Sequence, residues 1–198
     1  MTSRREAILR ASATAIAERG VRGLRVSDIA EVAGVSPGLL YYHFKDRDGL
    51  LAAALTYIND QALTYRQAAS GSSSSREQLV DYLLAEIQDL PEVVENSLAW
   101  NELRACAVYE SPLREPLAQA SRQWTAETAE AIRLARTLGE IADHTDPDQA
   151  AVTITALTEG LSSRWLSGEL TAEEARTHLR AALDALIPPK QSRHAELR

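Results

Sequence analysis

One stretch decides the fold of this chain: Val26-Ser-Asp-Ile-Ala-Glu-Val-Ala-Gly-Val-Ser-Pro-Gly-Leu-Leu-Tyr-Tyr-His-Phe-Lys45. It predicts a short helix capped by Ser27, a turn at Gly34, and a second helix capped by Ser36. Glycine suits the turn because it takes positive φ without a steric penalty. Pro37 suits the first position of the second helix, where a backbone N–H is not needed. That helix turns polar and aromatic side chains outward, a pattern typical of a helix-turn-helix that enters the DNA major groove.

Nine residues of this stretch are predicted to contact DNA. Hydroxyls at helix N-termini and the later polar and basic side chains suit phosphate oxygens. Side chains at the leading end of the second helix suit base edges, where Pro37 or Leu39 can contact a thymine methyl group. The predicted phosphate contacts are Ser27, Ser36, Tyr42, His43 and Lys45, and the predicted base contacts are Pro37, Gly38, Leu39 and Tyr41. Leu40 and Phe44 are predicted to lie in the core.

The charge distribution agrees with this interpretation. The 198-residue chain has a net charge of −7, but residues 1–50 hold eight basic and six acidic side chains. The acidic remainder is repelled by phosphates and orients the protein on DNA. Each of four arginines in or near the motif is expected either to add attraction or to be a solvated surface charge. These arginines are Arg4, Arg5, Arg25 and Arg47.

The composition excludes several classes of protein. A single cysteine, Cys106, rules out an internal disulfide and predicts a cytoplasmic location, with this mid-helix residue buried rather than redox-active. No apolar run is long enough for a membrane span, and the first residues lack the apolar core of a signal peptide. The segment 143–148 has metal-ligand residue types, but it is better interpreted as a capping loop. We therefore expect no metal and no cofactor, and the four scattered histidines argue against an enzyme.

The rest of the chain predicts an all-α fold of about nine helices, without strand patterns or repeats. Ser3 with Glu6 opens the first helix, and Asp46 caps the fourth. Further along, the expected boundaries fall at serines, prolines and one more capping box. Ser75 restarts a helix after a polar surface loop at 70–75, Pro91 ends it, Ser111-Pro112 and Pro116 bracket a turn, Asp146-Pro147 starts the eighth helix, and Thr171 with Glu174 starts the ninth.

The helix-turn-helix resembles the N-terminal domain of tetracycline-repressor (TetR) family regulators. The resemblance runs from about Ile8 to Leu55 and departs at two positions. Leu39 stands where the family usually has a small polar residue, and Gly49 stands where an acidic residue often closes a capping box. We therefore expect the fourth helix to start more loosely. The matching residues are Ile29, Ala30, Ala33, Gly34, Val35, Ser36, Leu40, Tyr41, His43, Phe44, Lys45, Leu50 and Leu51.

The resemblance also implies an organisation and a function. It implies a DNA-binding domain at 1–46, a linking helix at 47–69, an effector-binding and dimerisation domain at 70–187, and a tail at 188–198. The implied protein is a homodimeric repressor on a palindromic double-stranded operator. A small-molecule effector of unknown identity would release it by moving the fourth helix. Two alternatives stay open: a DNA-binding regulator or activator without a ligand, and a helical enzyme.

The implied effector site falls on the sixth and seventh helices. Their amphipathic side chains combine apolar area with an orienting hydrogen bond, as ligand pockets require. Trp100, Glu102, Leu103 and Trp124 also resemble the choline-sensing BetI-like subgroup. The alternative is ordinary core tryptophans with charges that face solvent. The candidates are Trp100, Asn101, Glu102, Arg104, Tyr109 and Trp124, and the acidic Glu86 and Glu102 would favour a cationic effector.

The implied dimer interface falls on the last two helices. Each carries one apolar stripe, which either faces a second subunit or fills the subunit's own core. Thr153, Ala156 and Gly160 add small residues that permit close approach. The resemblance favours a four-helix interface, whose two-fold symmetry would present two heads about 34–36 Å apart. The candidate residues are Ile154, Leu157, Leu161, Trp165, Leu179, Leu183 and Leu186.

Overall fold

The computed structural model describes residues 3–69 and 71–190. Over these residues the chain is all-α, as predicted, apart from one isolated bridge between Ile141 and Pro189. The nine helices are α1 Arg4–Arg19, α2 Val26–Val32, α3 Pro37–Phe44, α4 Arg47–Ala69, α5 Ser75–Leu84, α6 Pro91–Ala107, α7 Ser111–Thr137, α8 Pro147–Leu166 and α9 Ala172–Leu186. None of the helices in this part of the chain combines the length and apolar character that crossing a bilayer requires.

The helices form two compact units that do not follow the linear order of the chain. The first unit comprises the described residues of 1–64 and 89–121, and the second comprises those of 65–88 and 122–198. The first unit contains the helix-turn-helix together with α6, because α6 packs along α1. The implied boundaries at 46/47 and 69/70 therefore do not coincide with the compact units, which divide within α4, between α5 and α6, and within α7.

The first unit is held by a continuous apolar core. Ser3 accepts a hydrogen bond from the Glu6 N–H at 3.1 Å and so caps α1, and Gly20 ends it at φ 72°. Between these ends, Ile8 and Ile16 on one face of α1 are almost fully buried. They pack with side chains from the other helices of this unit, which places the helix-turn-helix on a rigid support. These partners include Ile29, Leu40, Leu50, Leu51, Leu55, Ala99 and Leu103.

In the second unit α8 packs against α9, and the starts of both helices agree with the sequence analysis. The Asp146 carboxylate accepts from the N–H groups of Asp148 and Gln149 and caps α8. Thr171 and Glu174 form a complete capping box at α9, with both reciprocal hydrogen bonds present. Backbone donors at both helix starts are thus satisfied by side chains that the sequence identifies.

The helix after the polar loop begins at Ser75, as predicted, and its cap is the preceding Ser74, which accepts from the Glu77 N–H. Two other predicted boundaries were wrong. Pro91 does not end a helix but opens α6, since the first helical position needs no N–H. Pro116 lies inside α7 instead of closing a turn before it. α7 already begins at Ser111, so this proline falls in its second turn.

Candidate nucleic-acid interface

The turn between α2 and α3 is fixed by backbone geometry. Gly34 has a φ of 65°, and a Cβ built there would meet no atom within 4 Å. The glycine is therefore required by its dihedral angle and not by crowding. The Val35 N–H donates to the Ala30 carbonyl at 2.9 Å and closes the turn. This closure sets the angle at which α3 leaves α2.

α3 has one buried face and one exposed face. Ser36 accepts from the Leu39 N–H at 3.2 Å, which confirms the predicted cap. Leu40 and Phe44 are buried in the core of the first unit, as predicted. On the outer side Tyr42 is 81% exposed and Tyr41 is 48% exposed. Large aromatic side chains held out in this way offer contact area and hydroxyl groups to a partner.

The other predicted DNA contacts lie around this outer face. Leu39 and His43 are half-buried, and the other seven are exposed. The exposed side chains can reach a duplex without any change in the packing of the unit. The contact of each with DNA remains a prediction. The exposed members are Ser27, Ser36, Pro37, Gly38, Tyr41, Tyr42 and Lys45.

Ser27 does not cap α2, which corrects the sequence analysis. The capping position is held by Arg25, whose side chain makes no capping hydrogen bond. Ser27 is the second residue of the helix, and its hydroxyl donates to the Asp28 carboxylate at 3.1 Å. Its place in the first turn still puts it beside the free N–H groups that suit a phosphate.

The turn between α3 and α4 is tighter than predicted. Lys45 has a φ of 64°, and its N–H donates to the Tyr41 carbonyl at 2.8 Å. Asp46 then accepts from the Gly49 N–H at 2.7 Å and caps α4. A Cβ at Gly49 would lie 2.3 Å from the Phe44 carbonyl oxygen. The expectation of a loose start was therefore wrong, because Gly49 permits a close backbone approach.

Arg47 makes contacts within the first unit. It is half-buried, pairs with Glu110 at 3.1 Å and donates to the Val21 carbonyl at 3.0 Å. Arg5 lies over the Phe44 ring, with its guanidinium carbon 5.5 Å from the ring centroid. The basic groups near the motif thus include one arginine that fastens α4 to the segment after α1.

Glu102 has a structural partner that the sequence did not indicate. Its carboxylate accepts from the Val21 N–H at 2.9 Å, so α6 holds the segment that follows α1. The Cys106 thiol also donates to this carboxylate at 3.5 Å. Burial, with Glu102 nearby, raises the pKa of Cys106 to about 11, so the thiol stays neutral. One oxygen of the Glu102 carboxylate is thus bonded to the backbone, and a role of Glu102 as an effector ligand stays a prediction.

The remaining effector candidates are not gathered into one site within the first unit. Asn101 donates to the Ser97 carbonyl on its own helix at 2.9 Å. Arg104 lies over the Trp100 ring at 5.8 Å and donates to the Ser121 hydroxyl at 3.2 Å. Tyr109 is 77% exposed. Among the described residues, Trp100 and Arg104 are brought together, and Trp124 belongs to the second unit.

Around Trp124 the second unit contains a buried polar cluster that sequence analysis missed. The Arg66 guanidinium lies against the rings of Trp124 and Tyr82 and pairs with Glu86. Glu86 was considered from the sequence, but nothing connected it with an arginine twenty residues earlier. Such a cluster depends on how α4, α5 and α7 pack, which no local pattern encodes.

Most of the residues predicted to face a second subunit are buried within the single chain, so they leave little surface for a partner, and their place in a dimer interface stays a prediction. Leu157 and Leu186 are half-buried in the single chain. The face of α8 that stays exposed carries Val152, Ala156 and Gly160 instead. The buried members of the predicted interface are Ile154, Leu161, Trp165, Leu179 and Leu183.

The segment at 143–148 provides caps and ion pairs. Asp146 caps α8, as predicted, and Asp143 pairs with Lys190 at 2.8 Å. Over residues 3–69 and 71–190, no group of three or more His, Cys, Asp and Glu side chains is arranged to hold a metal ion.

Comparison with known families gives two matches. The family model described as bacterial regulatory proteins, tetR family, matches residues 8–54. The model described as BetI-type transcriptional repressor, C-terminal, matches residues 75–188. Together the two matches include the helix-turn-helix and the residues Tyr82, Glu86 and Trp124, whereas Arg66 lies in the segment between them.

Two relatives show how the similarity is distributed. The BetI transcriptional regulator of Burkholderia mallei is 27% identical over 198 residues, covering 94% of this chain and 95% of its own. The KstR2 transcriptional repressor of Mycolicibacterium smegmatis is 33% identical over 87 residues, covering 43% of this chain and 42% of its own. The first similarity therefore extends over the whole chain, whereas the second is local.

Solved structures agree in fold. A TetR-family transcriptional regulator from Rhodococcus sp. has a TM-score of 0.90 and 63% identity, covering 94% of this chain and 100% of its own. A transcriptional regulator from Saccharomonospora viridis, in complex with choline, has a TM-score of 0.80 and 25% identity. It covers 94% of this chain and 98% of its own.

Proposed function

This chain belongs to the TetR family of bacterial transcriptional regulators, and on that basis we propose that it is a dimeric repressor released from a palindromic operator by a small molecule. The family and the similar proteins are regulators and not enzymes. The observation that carries the proposal is the outer face of α3, where Tyr41 and Tyr42 are held into solvent above a buried Leu40 and Phe44.

The shape of this face fits a major groove. The groove is about 12 Å wide and admits one helix. The capped, positively polarised N-terminus of α3 would approach the bases, and the exposed Lys45 would reach the phosphates. Phosphate contacts would fix the register, whereas Gly38 and Tyr41 would read base edges. The absence of a side chain at Gly38 would let the helix approach closely.

We assign the second subunit to the exposed face of α8. A glycine such as Gly160 lowers the stability of a helix interior by about 1 kcal/mol relative to alanine. A Cβ there would meet no atom within 4 Å of the chain's own described residues, so packing within the subunit does not require glycine. Close approach by a second α8 would require it. Exposed Ala156 and Val152 lie one and two turns earlier on the same face.

We place the effector in the second unit, of which residues 75–88 and 122–188 lie within the match to the BetI-type C-terminal model. The S. viridis regulator in complex with choline supports a small-molecule ligand for this chain, too. A cytoplasmic location follows from the proposal, because bacterial chromosomal DNA lies there.

The test is selection from random-sequence duplexes with purified protein, followed by sequencing of the bound fraction. The proposal expects one palindromic motif. Tyr41→Ala should lose it, whereas Tyr109→Ala, which removes an exposed tyrosine outside the motif, should keep it. A folded protein that recovers no motif at low salt would contradict the proposal.

A further inference from the structure

The Arg66 guanidinium is enclosed by two aromatic rings in the second unit. The residue belongs to α4 and is only 5% exposed. Its guanidinium carbon lies 5.0 Å from the Trp124 ring centroid and 5.5 Å from that of Tyr82. Both distances are within the range of a cation–π interaction. Trp124 is 6% exposed, and its ring N–H has no hydrogen-bond partner in the described structure. The contact of the Trp124 indole with Arg66 is therefore made by the face of the ring and not by the N–H group.

A buried carboxylate completes the surroundings of this cation. Glu86 forms an ion pair with Arg66, and Tyr65 donates its hydroxyl hydrogen to Glu86 at 3.2 Å. Arg66 also donates to the Tyr82 hydroxyl oxygen at 3.1 Å. Burial raises the pKa of Glu86, and Arg66 opposes that rise. Burial lowers the pKa of Arg66, but Glu86 and the two tyrosines raise it by more, so the guanidinium stays charged.

Two aromatic faces and one carboxylate are the chemistry that recognises an organic monocation. Here the cation is part of the chain. A buried ion pair is weak grounds for stability, since apolar side chains of similar volume often serve equally well. The stability that the ion pair adds is therefore a weaker explanation of the cluster than an effect on which cations the second unit can bind.

We propose that Arg66 is the built-in occupant of an organic-cation site formed by Tyr82, Glu86 and Trp124, and that it excludes free guanidinium and ammonium ions from this site. A tethered group acts at an effective concentration in the millimolar range or above. A free cation of millimolar affinity cannot compete with it at the lower concentrations of a signalling molecule. This extends the proposed function by naming a class of effector that this site rejects.

The test replaces the tethered cation by a free one. Arg66→Ala removes two methylene groups and the guanidinium, which together correspond to ethylguanidinium. We expect millimolar ethylguanidinium to raise the melting temperature of Arg66→Ala and to bind it in isothermal titration calorimetry. Ethylurea, which is neutral and of similar shape, should do neither. The wild-type protein should bind ethylguanidinium at least tenfold more weakly than the variant.

A second variant distinguishes the contribution of the carboxylate to binding from that of the aromatic rings. Arg66→Ala/Glu86→Gln leaves no unpaired buried charge, and its affinity for ethylguanidinium should fall at least tenfold below that of Arg66→Ala. If Arg66→Ala is unfolded at 25 °C, recovery of its helical circular dichroism with ethylguanidinium but not ethylurea supports the proposal. Equal responses to both probes, equal binding by wild type and variant, or no response of the variant would overturn it. None of these readouts involves DNA, so operator selection tests the proposed function separately.

Discussion

For the substitution Gly49→Ala, helix propensity predicts a gain in folding stability, whereas the structure predicts a loss. Alanine gains about 0.8–1 kcal/mol over glycine inside a helix. At position 49, however, its Cβ would lie 2.3 Å from the Phe44 carbonyl oxygen and 3.3 Å from the Asp46 carboxylate. Carbon–oxygen contacts settle near about 3.3–3.6 Å, so the turn must open by about 1 Å.

Opening the turn has two costs. Overpacking against fixed backbone costs about 1–3 kcal/mol. The capping hydrogen bond from the Gly49 N–H to Asp46, now 2.7 Å long, would also weaken, and a lost cap costs about 1 kcal/mol. After the gain in helix propensity, we expect a net loss of about 2 kcal/mol. For a chain of this size that lowers the melting temperature by about 4–8 °C.

Thermal unfolding followed by circular dichroism measures the effect, with Gly38→Ala as the matched control. A Cβ at Gly38 would lie 3.9 Å from the nearest atom, the Ser36 hydroxyl oxygen. Gly38→Ala should therefore melt at or above the wild-type temperature while losing affinity for the operator. A Gly49→Ala protein that melts as high as the wild type would refute the argument from the close Phe44 contact.

Other predictions concern charge, reactivity and assembly. Lys45→Ala should lower the slope of log affinity for DNA against log salt concentration by about 1. The matched control is Lys190→Ala, which removes a lysine that pairs with Asp143 and should leave the slope unchanged. Equal slopes for the two variants would contradict a phosphate contact of Lys45. Since the pKa of Cys106 is raised from 9.0 to about 11, its thiolate at pH 8 is about a hundredfold scarcer. Alkylation by iodoacetamide should be slower than that of a free thiol by at least this factor, and a rate typical of a free cysteine would show that the residue is accessible. Gly160→Leu should shift the sedimentation of a dimer toward the monomer; an unchanged dimer would place the interface elsewhere.

The sequence predicted those features that depend on neighbours along the chain. Ser36 caps α3 and Thr171 with Glu174 closes the box at α9, because each bond joins residues three positions apart. The positive φ of Gly34 follows from the need for a sharp turn. Such local rules located the exposed face of α3 and therefore the candidate DNA-binding surface.

Features that depend on distant contacts were not predictable in this way. Gly49 was interpreted as a missing cap residue, whereas the Phe44 backbone passes too close for any side chain. Glu102 belongs to a hydrogen bond with Val21, 81 residues earlier. An apolar stripe such as that of Leu161 shows that a helix face is buried, but its period is the same whether a second subunit or the same chain covers it.

Methylation protection on a selected operator tests the central claim, that α3 lies in the major groove. Dimethyl sulfate methylates guanine N7, which faces the major groove, and adenine N3, which faces the minor groove. On a duplex with guanines in both half-sites, bound protein should protect N7 at two places about 34–36 Å apart, or one helical turn. Adenine N3 between the half-sites should stay reactive. Protection of adenine N3 alone, with guanine N7 fully reactive, would contradict the account.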